Sequence, residues 1–122
     1  MANQRTMGMG PSEQGCPVEY TLSVIGGKWK GIILYHLMKR KVVRFNEFRR
    51  YCPNMTQRML TLQLRELEQD GVVHRKVYQQ VPPKVEYSLT ELGQSLTPII
   101  QAMKQWGETH RSRVEDGAME KS

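Results

Sequence analysis

Residues 56–90 constrain the fold most, because a strongly amphipathic helix is followed there directly by two alternating strands. The leucines of the helix recur at the spacing of one face: Leu60, Leu64 and Leu67. Thr56 is a suitable N-cap, and Asp70-Gly71 is a typical C-terminal stop. The pattern predicts one helix between these two signals.

A shorter helix is predicted just before this one. It begins with Phe45 and Phe48, with Asn46 as its expected N-cap, and Cys52-Pro53 ends it. Only residues 53–55 separate the two helices. Two short helices joined by a tight turn indicate a helix-turn-helix.

Two strands are predicted after the longer helix from alternating apolar and polar residues. One runs from Val72 to Tyr78 and the other from Val85 to Leu89. The connection between them contains Pro82-Pro83, and consecutive prolines are excluded from a sheet interior. A hairpin that follows a helix-turn-helix is the arrangement of a winged helix.

The N-terminal part predicts two further helices. The first begins at Cys16-Pro17 and ends at Gly26-Gly27. The second ends in the basic run Lys39–Lys41, where cations favour the helix dipole. Its buried face is predicted to consist of Trp29, Ile32, Ile33 and Leu37. Val42 and Val43 are expected to form a very short strand.

A last helix is predicted from about Thr90. Its apolar residues alternate at spacings of four and three, which indicates helix-to-helix packing. They are Leu92, Leu96, Ile99, Met103 and Trp106. Pro98 either bends this helix or lies in the first turn of a new segment capped by Thr97. Beyond Trp106 the sequence is polar, and we expect the helix to fray.

One domain is expected at a length of 122 residues. We predict a mainly α fold with a small β-hairpin, a winged helix-turn-helix with N- and C-terminal dimerisation helices. Residues 16–110 would form the domain for DNA binding and dimerisation, with a flexible tail at 1–15 and a polar tail at 111–122. No apolar run approaches the length of a membrane span, and residues 1–15 lack the apolar stretch of a signal peptide. A cytoplasmic protein is expected.

The positive charge of the chain is concentrated in one segment. The formal net charge is +6, but residues 28–76 alone carry twelve basic and four acidic side chains. That segment therefore carries +8, and the rest of the chain carries −2. A concentrated basic segment suits a polyanion, either a nucleic acid or an anionic membrane surface.

The outward face of the longer helix carries the residue types that read base edges. These are Gln57, Arg58, Thr61 and Arg65. A solvated helix face explains the same residues about equally well. The charges of the hairpin, on Arg75, Lys76 and Lys84, favour DNA because they follow the candidate recognition helix directly. Supporting candidates are Lys28, Lys30, Arg49 and Arg50.

Cys16 is the candidate for redox chemistry. It lies just before a predicted helix start, where backbone N–H groups stabilise a thiolate, and such a thiolate would react with oxidants or electrophiles. An inert small side chain is the alternative. Cys52 is expected to pack as an apolar group. Whether the two form an intersubunit disulfide is left open.

Enzyme chemistry has little support in the sequence. The three histidines, His36, His74 and His110, have no partner at metal-ligand spacing. There is also no Cys-x-x-Cys pair, no phosphate-binding glycine loop and no nucleophile elbow. We expect no catalytic activity, no metal and no cofactor.

Several ordered motifs form a distinctive series along the chain. They are Cys16–Tyr20, Ile25–Lys30, Arg44–Arg50, Thr56–Thr61, Leu64–Glu68, Val81–Thr90 and Trp106-Gly107. This series resembles that of HxlR-type transcriptional regulators, which are relatives of the MarR group. The resemblance covers roughly residues 16–110.

This resemblance implies a bacterial, cytoplasmic, homodimeric protein that binds double-stranded DNA. It also implies that a cysteine at the position of Cys16 senses oxidants or electrophiles in some members. The predicted dimer interface joins the first and last helices through Val18, Leu22, Ile25, Leu92, Leu96, Ile99, Met103 and Trp106. The alternative is a winged helix that binds another protein and no specific DNA. The operator, the regulated genes and any small-molecule effector are not indicated.

Overall fold

The structure is a computed structural model that describes residues 15–121. Six helices and three strands follow one another in this range. They are α1 (Pro17–Ile25), α2 (Lys30–Arg40), β1 (Val42–Arg44), α3 (Phe45–Tyr51), α4 (Gln57–Gln69), β2 (Val73–Tyr78), β3 (Lys84–Leu89), α5 (Glu91–Gln94) and α6 (Thr97–Lys121). The predicted winged helix-turn-helix is confirmed. The tail expected at residues 1–15 lies, apart from Gly15, outside the described residues.

The helix-turn-helix consists of α3 and α4. Thr56 caps α4 as predicted, and its Oγ1 accepts a hydrogen bond from the Met59 N–H at 3.1 Å. Gly71 then ends the segment with φ of 78°, which favours glycine. The expected N-cap of α3 was wrong, because the cap position is Arg44 rather than Asn46. The Arg44 N–H donates to Glu47 Oε1 at 2.7 Å, which places Asn46 inside the first turn.

The wing is part of a three-stranded antiparallel sheet with the order β1-β3-β2. The short strand expected at Val42 and Val43 extends to Arg44 and pairs with β3, which therefore lies in the centre. Between β2 and β3 the register places Arg75 opposite Tyr87 and Lys76 opposite Glu86. Side chains that are twelve and ten residues apart in sequence thus become neighbours on one sheet.

The core lies between α2, α3, α4 and the sheet. Its fully buried side chains include Ile33, Leu37, Phe48, Leu60 and Leu64. The predicted leucine face of α4 is confirmed by the burial of Leu60, Leu64 and Leu67. One residue of the predicted α2 face was misplaced. Ile32 is 39% exposed, and Leu34 is buried in its stead because α2 turns that side toward the core.

The C-terminal part consists of two helices rather than one. α5 is capped by Thr90, whose Oγ1 accepts from the Gly93 N–H at 3.0 Å. α6 begins at Thr97 with Pro98 in its first turn, so Pro98 lies at the start of a new segment, as the second alternative has it. Thr97 is the first helical residue of that segment rather than its cap. The apolar seam is therefore divided, because Leu92 belongs to α5.

The expected fraying beyond Trp106 was wrong. α6 continues to Lys121, through residues of high helix propensity such as Glu108, Arg111 and Glu115. An ion pair between Lys104 and Glu108 at 3.5 Å adds to the same helix. Within residues 15–121, no helix is both long and apolar enough to cross a membrane.

Candidate nucleic-acid interface

The outward face of α4 carries Gln57 and Arg58, both exposed, and the half-buried Thr61. Arg49 of α3 donates from Nη1 to Gln57 Oε1 at 3.2 Å, which holds the two helices of the motif together at their polar edge. Thr61 Oγ1 donates to the backbone oxygen of Gln57 at 2.9 Å. Gln57 and Thr61 are thus held by these hydrogen bonds, and Arg58 is the exposed cationic side chain in the first turn of α4.

A crevice of about 280 Å³ separates α4 from the wing. The residues that line it, which we call the α4–wing crevice, are Phe45, Thr61, Arg65, Glu68, Arg75, Val85 and Tyr87. Three predicted DNA-binding residues, Thr61, Arg65 and Arg75, thus meet in one place although Arg75 lies on a different element. The crevice is lined by polar and apolar groups together, which suits a sugar-phosphate backbone.

Tyr87 forms the buried floor of this crevice. Burial raises the pKa of its hydroxyl, against the opposing effects of the nearby Arg75 and Arg65 guanidinium groups. The Arg75 guanidinium group acts on this hydroxyl more strongly than that of Arg65 does. The phenol therefore stays neutral and leaves the charge of Arg75 intact. With Arg65, Arg75 and Glu68 counted together, the lining keeps one net positive charge.

The two lysines of the wing lie against one tyrosine. The Nζ atoms of Lys76 and Lys84 are 4.9 and 4.1 Å from the centre of the Tyr78 ring. The Tyr78 hydroxyl donates to Glu86 Oε1 at 2.9 Å, and Lys84 Nζ lies 3.8 Å from Glu86 Oε2. Glu86 therefore neutralises part of the Lys84 charge. Arg75 is accordingly the cationic residue of the wing that is better placed to contact a phosphate.

Lys30 differs in its surroundings from the other predicted DNA-binding residues. Lys30 is only 7% exposed, and its Nζ lies 2.5 Å from Glu66 Oε1 on α4. A lysine with that burial and that partner joins α2 to α4, and its ammonium group is already paired with a carboxylate. Its position three, four and seven residues before the buried Ile33, Leu34 and Leu37 was the signal that could have revealed this.

Lys28 also lies away from α4 and the wing. Its Nζ is 4.9 Å from the centre of the Trp29 ring, and it borders a cavity formed with α1 and α6. No residue of α4 or the wing lines that cavity. Arg50 is exposed at the end of α3 and interacts weakly with Glu47 at 3.8 Å, so it keeps the freedom that a phosphate contact requires.

The two cysteines have opposite surroundings. Cys16 is exposed at the N-cap of α1, whereas Cys52 is buried after α3. Burial raises the pKa of the Cys52 thiol, and the nearby Arg40 opposes this effect only in part. Cys16 is therefore the thiol that a reagent in solution meets first. Among residues 15–121 no cluster of His, Cys, Asp and Glu could hold a metal ion.

Sequence reasoning missed the residues that organise these surfaces. Tyr87, Tyr78 and Glu86 were assigned only to a strand pattern, and Glu66 was counted only as an acid in a basic segment. The alternation of β3 did indicate which of its residues share a sheet face. Their partners on β2, however, depend on the strand register, which the five-residue connection at residues 79–83 does not specify.

Three comparisons identify the family of this chain. The family model described as HxlR-like helix-turn-helix matches residues 24–115. The chain is 69% identical over 105 residues to YybR of Bacillus subtilis strain 168, described as an uncharacterised HTH-type transcriptional regulator. That match covers 86% of this chain and 83% of YybR.

The fold is similar to that of the redox regulator HypR in two forms. The reduced form is 67% identical, with a TM-score of 0.79, and the match covers 83% of this chain and 99% of HypR. The oxidised form is 71% identical, with a TM-score of 0.74, and the match covers 77% of this chain and 96% of HypR. The chain thus belongs to the HxlR-like helix-turn-helix family of transcriptional regulators.

Proposed function

We propose that this regulator binds a near-palindromic DNA operator as a homodimer, with α4 in the major groove and the wing on the adjacent backbone. The observation that carries this proposal is the convergence of Thr61, Arg65 and Arg75 on the α4–wing crevice. A recognition helix contacts base edges through its first residues, and Gln57 and Arg58 occupy those positions. We assign no enzymatic activity to the chain and infer a cytoplasmic location.

The roles within this surface divide by side chain. Arg58 is exposed at the first turn of α4 and suits a bidentate contact to guanine. Arg75 and Arg65 are assigned to phosphates, because they line a crevice between two elements rather than the tip of the helix. Arg49 is assigned to holding Gln57 in position through their hydrogen bond.

Two arginine variants should separate base reading from phosphate binding. We expect Arg58→Ala to weaken binding to a footprinted operator by about 1–3 kcal/mol and to relax its sequence preference. Arg75→Ala should weaken operator and random DNA similarly and reduce the salt slope by about one. Mobility-shift titrations at several salt concentrations measure both effects. Arg113→Ala, an exposed arginine of α6, serves as the control. Equal losses on operator and random DNA for both variants would contradict the assigned roles.

The homodimer is supported by apolar side chains that the single chain leaves uncovered. On α1, Val18 and Leu22 are exposed, and on α6, Ile99, Met103 and Trp106 are exposed. Two residues of the predicted interface differ from this pattern, because Ile25 is buried in the core and Leu96 is partly buried against it. In a two-fold dimer the two α4 helices would lie roughly 34 Å apart, in successive major grooves.

A charge placed on α6 tests this interface. We expect the wild-type protein to sediment as a dimer and Met103→Glu to sediment as a monomer, since the carboxylate would have to give up its hydration at an apolar contact between two helices. Sedimentation velocity at micromolar protein measures this. Val81→Glu is the control, because Val81 is 99% exposed on the wing and outside the interface. A dimeric Met103→Glu protein would place the interface elsewhere.

Redox control through Cys16 is the second part of the proposal. The name of HypR as a redox regulator supports it, together with the exposure of Cys16 beside α1. Oxidation of Cys16 to a disulfide would reduce one equivalent of diamide to the corresponding hydrazine and needs a second thiol. That thiol is either Cys52 or a small thiol from solution, and burial of Cys52 favours the small thiol unless the helix-turn-helix moves.

Two cysteine variants test the sensor. We expect diamide with glutathione to change the operator affinity of the wild type and to leave that of Cys16→Ser unchanged. Cys52→Ala should respond as the wild type does if the second thiol is glutathione, and should lose the response if it is Cys52. Fluorescence anisotropy of a labelled operator gives the affinity, and intact mass gives the adduct. A full response in Cys16→Ser would refute the assignment.

A further inference from the structure

Leu62 is an exposed apolar side chain on the helix that the proposed function places in the major groove. It is 52% exposed, although it lies in the middle of α4. Arg58, Leu62, Arg65 and Gln69 follow one another at spacings of four, three and four residues, and all four are exposed. Because an α-helix has 3.6 residues per turn, they form one row along α4, opposite its buried leucines. We call this row the outer row of α4.

The charged groups around Leu62 favour a polyanion. Arg58 precedes it by four residues and Arg65 follows it by three, so both guanidinium groups lie on the same side of the helix. Glu66 is the acidic residue nearest to Leu62 in the sequence, and its carboxylate pairs with Lys30 Nζ at 2.5 Å. Its charge is therefore compensated within the protein. The two arginines that attract DNA thus bring the leucine between them against it.

The major groove offers few apolar partners to such a side chain. A single exposed leucine is ordinary on a protein surface, but a leucine in the outer row loses its water when DNA binds. The base edges of the major groove present hydrogen-bond donors and acceptors, and the C5-methyl group of thymine is the apolar group among them. A leucine against a polar edge would remove water from that edge without providing a hydrogen bond. Leu62 therefore favours a methyl group.

We propose that Leu62 contacts the C5-methyl group of a thymine in each half of the operator and selects for that base. This inference rests on the proposed function, which places α4 in the major groove and assigns Arg58 to a guanine. Four residues of an α-helix span about 6 Å, and successive bases of one strand lie about 3.4 Å apart. The thymine is therefore expected within about two base pairs of the guanine that Arg58 contacts.

Uracil tests the contact, because it differs from thymine only by the absence of the C5-methyl group. Each thymine of a footprinted operator is replaced in turn by deoxyuridine, symmetrically in the two halves, and fluorescence anisotropy gives Kd at constant salt. We expect one position per half-site at which uracil raises Kd by about 15-fold, which is about fourfold for each methyl group. Equal Kd values for thymine and uracil at every position would overturn the proposal.

Two variants of Leu62 connect the methyl effect to this side chain. Leu62→Ala should raise Kd for the thymine operator at least about tenfold and bring the ratio of the uracil and thymine Kd values to about one. Leu62→Met, which keeps an apolar side chain of similar reach, should retain a ratio well above one. Both variants should stay folded by circular dichroism, because Leu62 is exposed. A wild-type ratio in Leu62→Ala would refute the contact.

A second pair of bases separates the methyl group from the rest of the base pair. Cytosine and 5-methylcytosine are placed at the position that responds to uracil. The methyl group of 5-methylcytosine lies at the same ring position as that of thymine, so it should lower Kd for the wild type and not for Leu62→Ala. A methyl effect of equal size in the two proteins would contradict the role of Leu62.

Two other exposed apolar residues serve as controls. Val114 is 54% exposed on α6, and Val114→Ala should keep the wild-type ratio. Met59, three residues before Leu62, is 37% exposed, and Met59→Ala should keep a ratio well above one. Loss of the ratio in Met59→Ala but not in Leu62→Ala would assign the contact to Met59 instead. A protein that binds the operator without any methyl effect refutes only the role of Leu62, whereas a protein that binds no DNA refutes the proposed function and this role together.

Discussion

Replacement of Gly93 by alanine should destabilise the protein by about 3 kcal/mol or more, at the upper end of the usual cost of overpacking. Gly93 is buried in α5, and a Cβ there would overlap with the carbonyl oxygen of Val72. It would also lie 3.2 Å from Leu89 Cδ2. Because the close neighbour is backbone, a side-chain rotation cannot relieve the overlap, and α5 must move away from the beginning of β2.

The displacement of α5 would break the two hydrogen bonds that Thr90, its N-cap residue, donates to the segment between α4 and β2. The Thr90 N–H donates to the Val72 oxygen at 3.1 Å, and Thr90 Oγ1 donates to the Gly71 oxygen at 2.5 Å. These bonds join the end of the wing to the end of α4. Gly93→Ala should therefore weaken operator binding as well as lower the free energy of unfolding.

Urea denaturation measures the change in the free energy of unfolding. The chain also offers a control glycine at which alanine should not destabilise the protein. Gly117 lies inside α6 with open space around the position of a Cβ. Gly117→Ala should be neutral or stabilise by up to about 1 kcal/mol, because alanine has the higher helix propensity. A Gly93→Ala protein as stable as the wild type would show that α5 tolerates displacement from β2.

The sequence was sufficient to predict those helices that have both a periodic apolar face and residues typical of a helix start and a helix end. α4 was predicted because three leucines mark its face, Thr56 caps it and Gly71 ends it. The last part of α6 has no such face. Its residues 107–117 are mostly exposed, so the helical state of this part depends on propensity and on pairs such as Lys104 with Glu108.

The candidate site was predictable in its residue types but not in its geometry. Arg65 and Arg75 were each selected for their charge, yet their meeting in one crevice requires the packing of α4 against β2 and β3. The role of Tyr87 depends on the pairing that places Arg75 opposite it. Long-range pairing of this kind is set by tertiary packing, which local patterns do not encode.

Lys30 illustrates the competition between two local rules. Its spacing from Ile33 and Leu37 places it on the buried face of α2, whereas its charge favours exposure. Lys30 is buried because Glu66, thirty-six residues later in the sequence, forms an ion pair with its ammonium group. No pattern within either helix indicates that partner.

The asymmetry of this ion pair gives a second large effect. The Lys30 side chain is 9% exposed and that of Glu66 is 38% exposed. Glu66→Met leaves a buried ammonium group without a partner, and we expect a loss of about 3 kcal/mol in the free energy of unfolding. Lys30→Met leaves a carboxylate that can still reach water, so its cost should be only about 1 kcal/mol.

The double variant Lys30→Met/Glu66→Met distinguishes a lost ion pair from lost packing. Two apolar side chains of similar length should pack against each other, which returns the free energy of unfolding to within about 1 kcal/mol of the wild type. Urea denaturation of the wild type, the two single variants and the double variant gives the four free energies of unfolding that a double-mutant cycle requires. If the double variant costs as much as the sum of the two single variants, Lys30 and Glu66 contribute independently, and the ammonium–carboxylate contact does not hold α4 against α2.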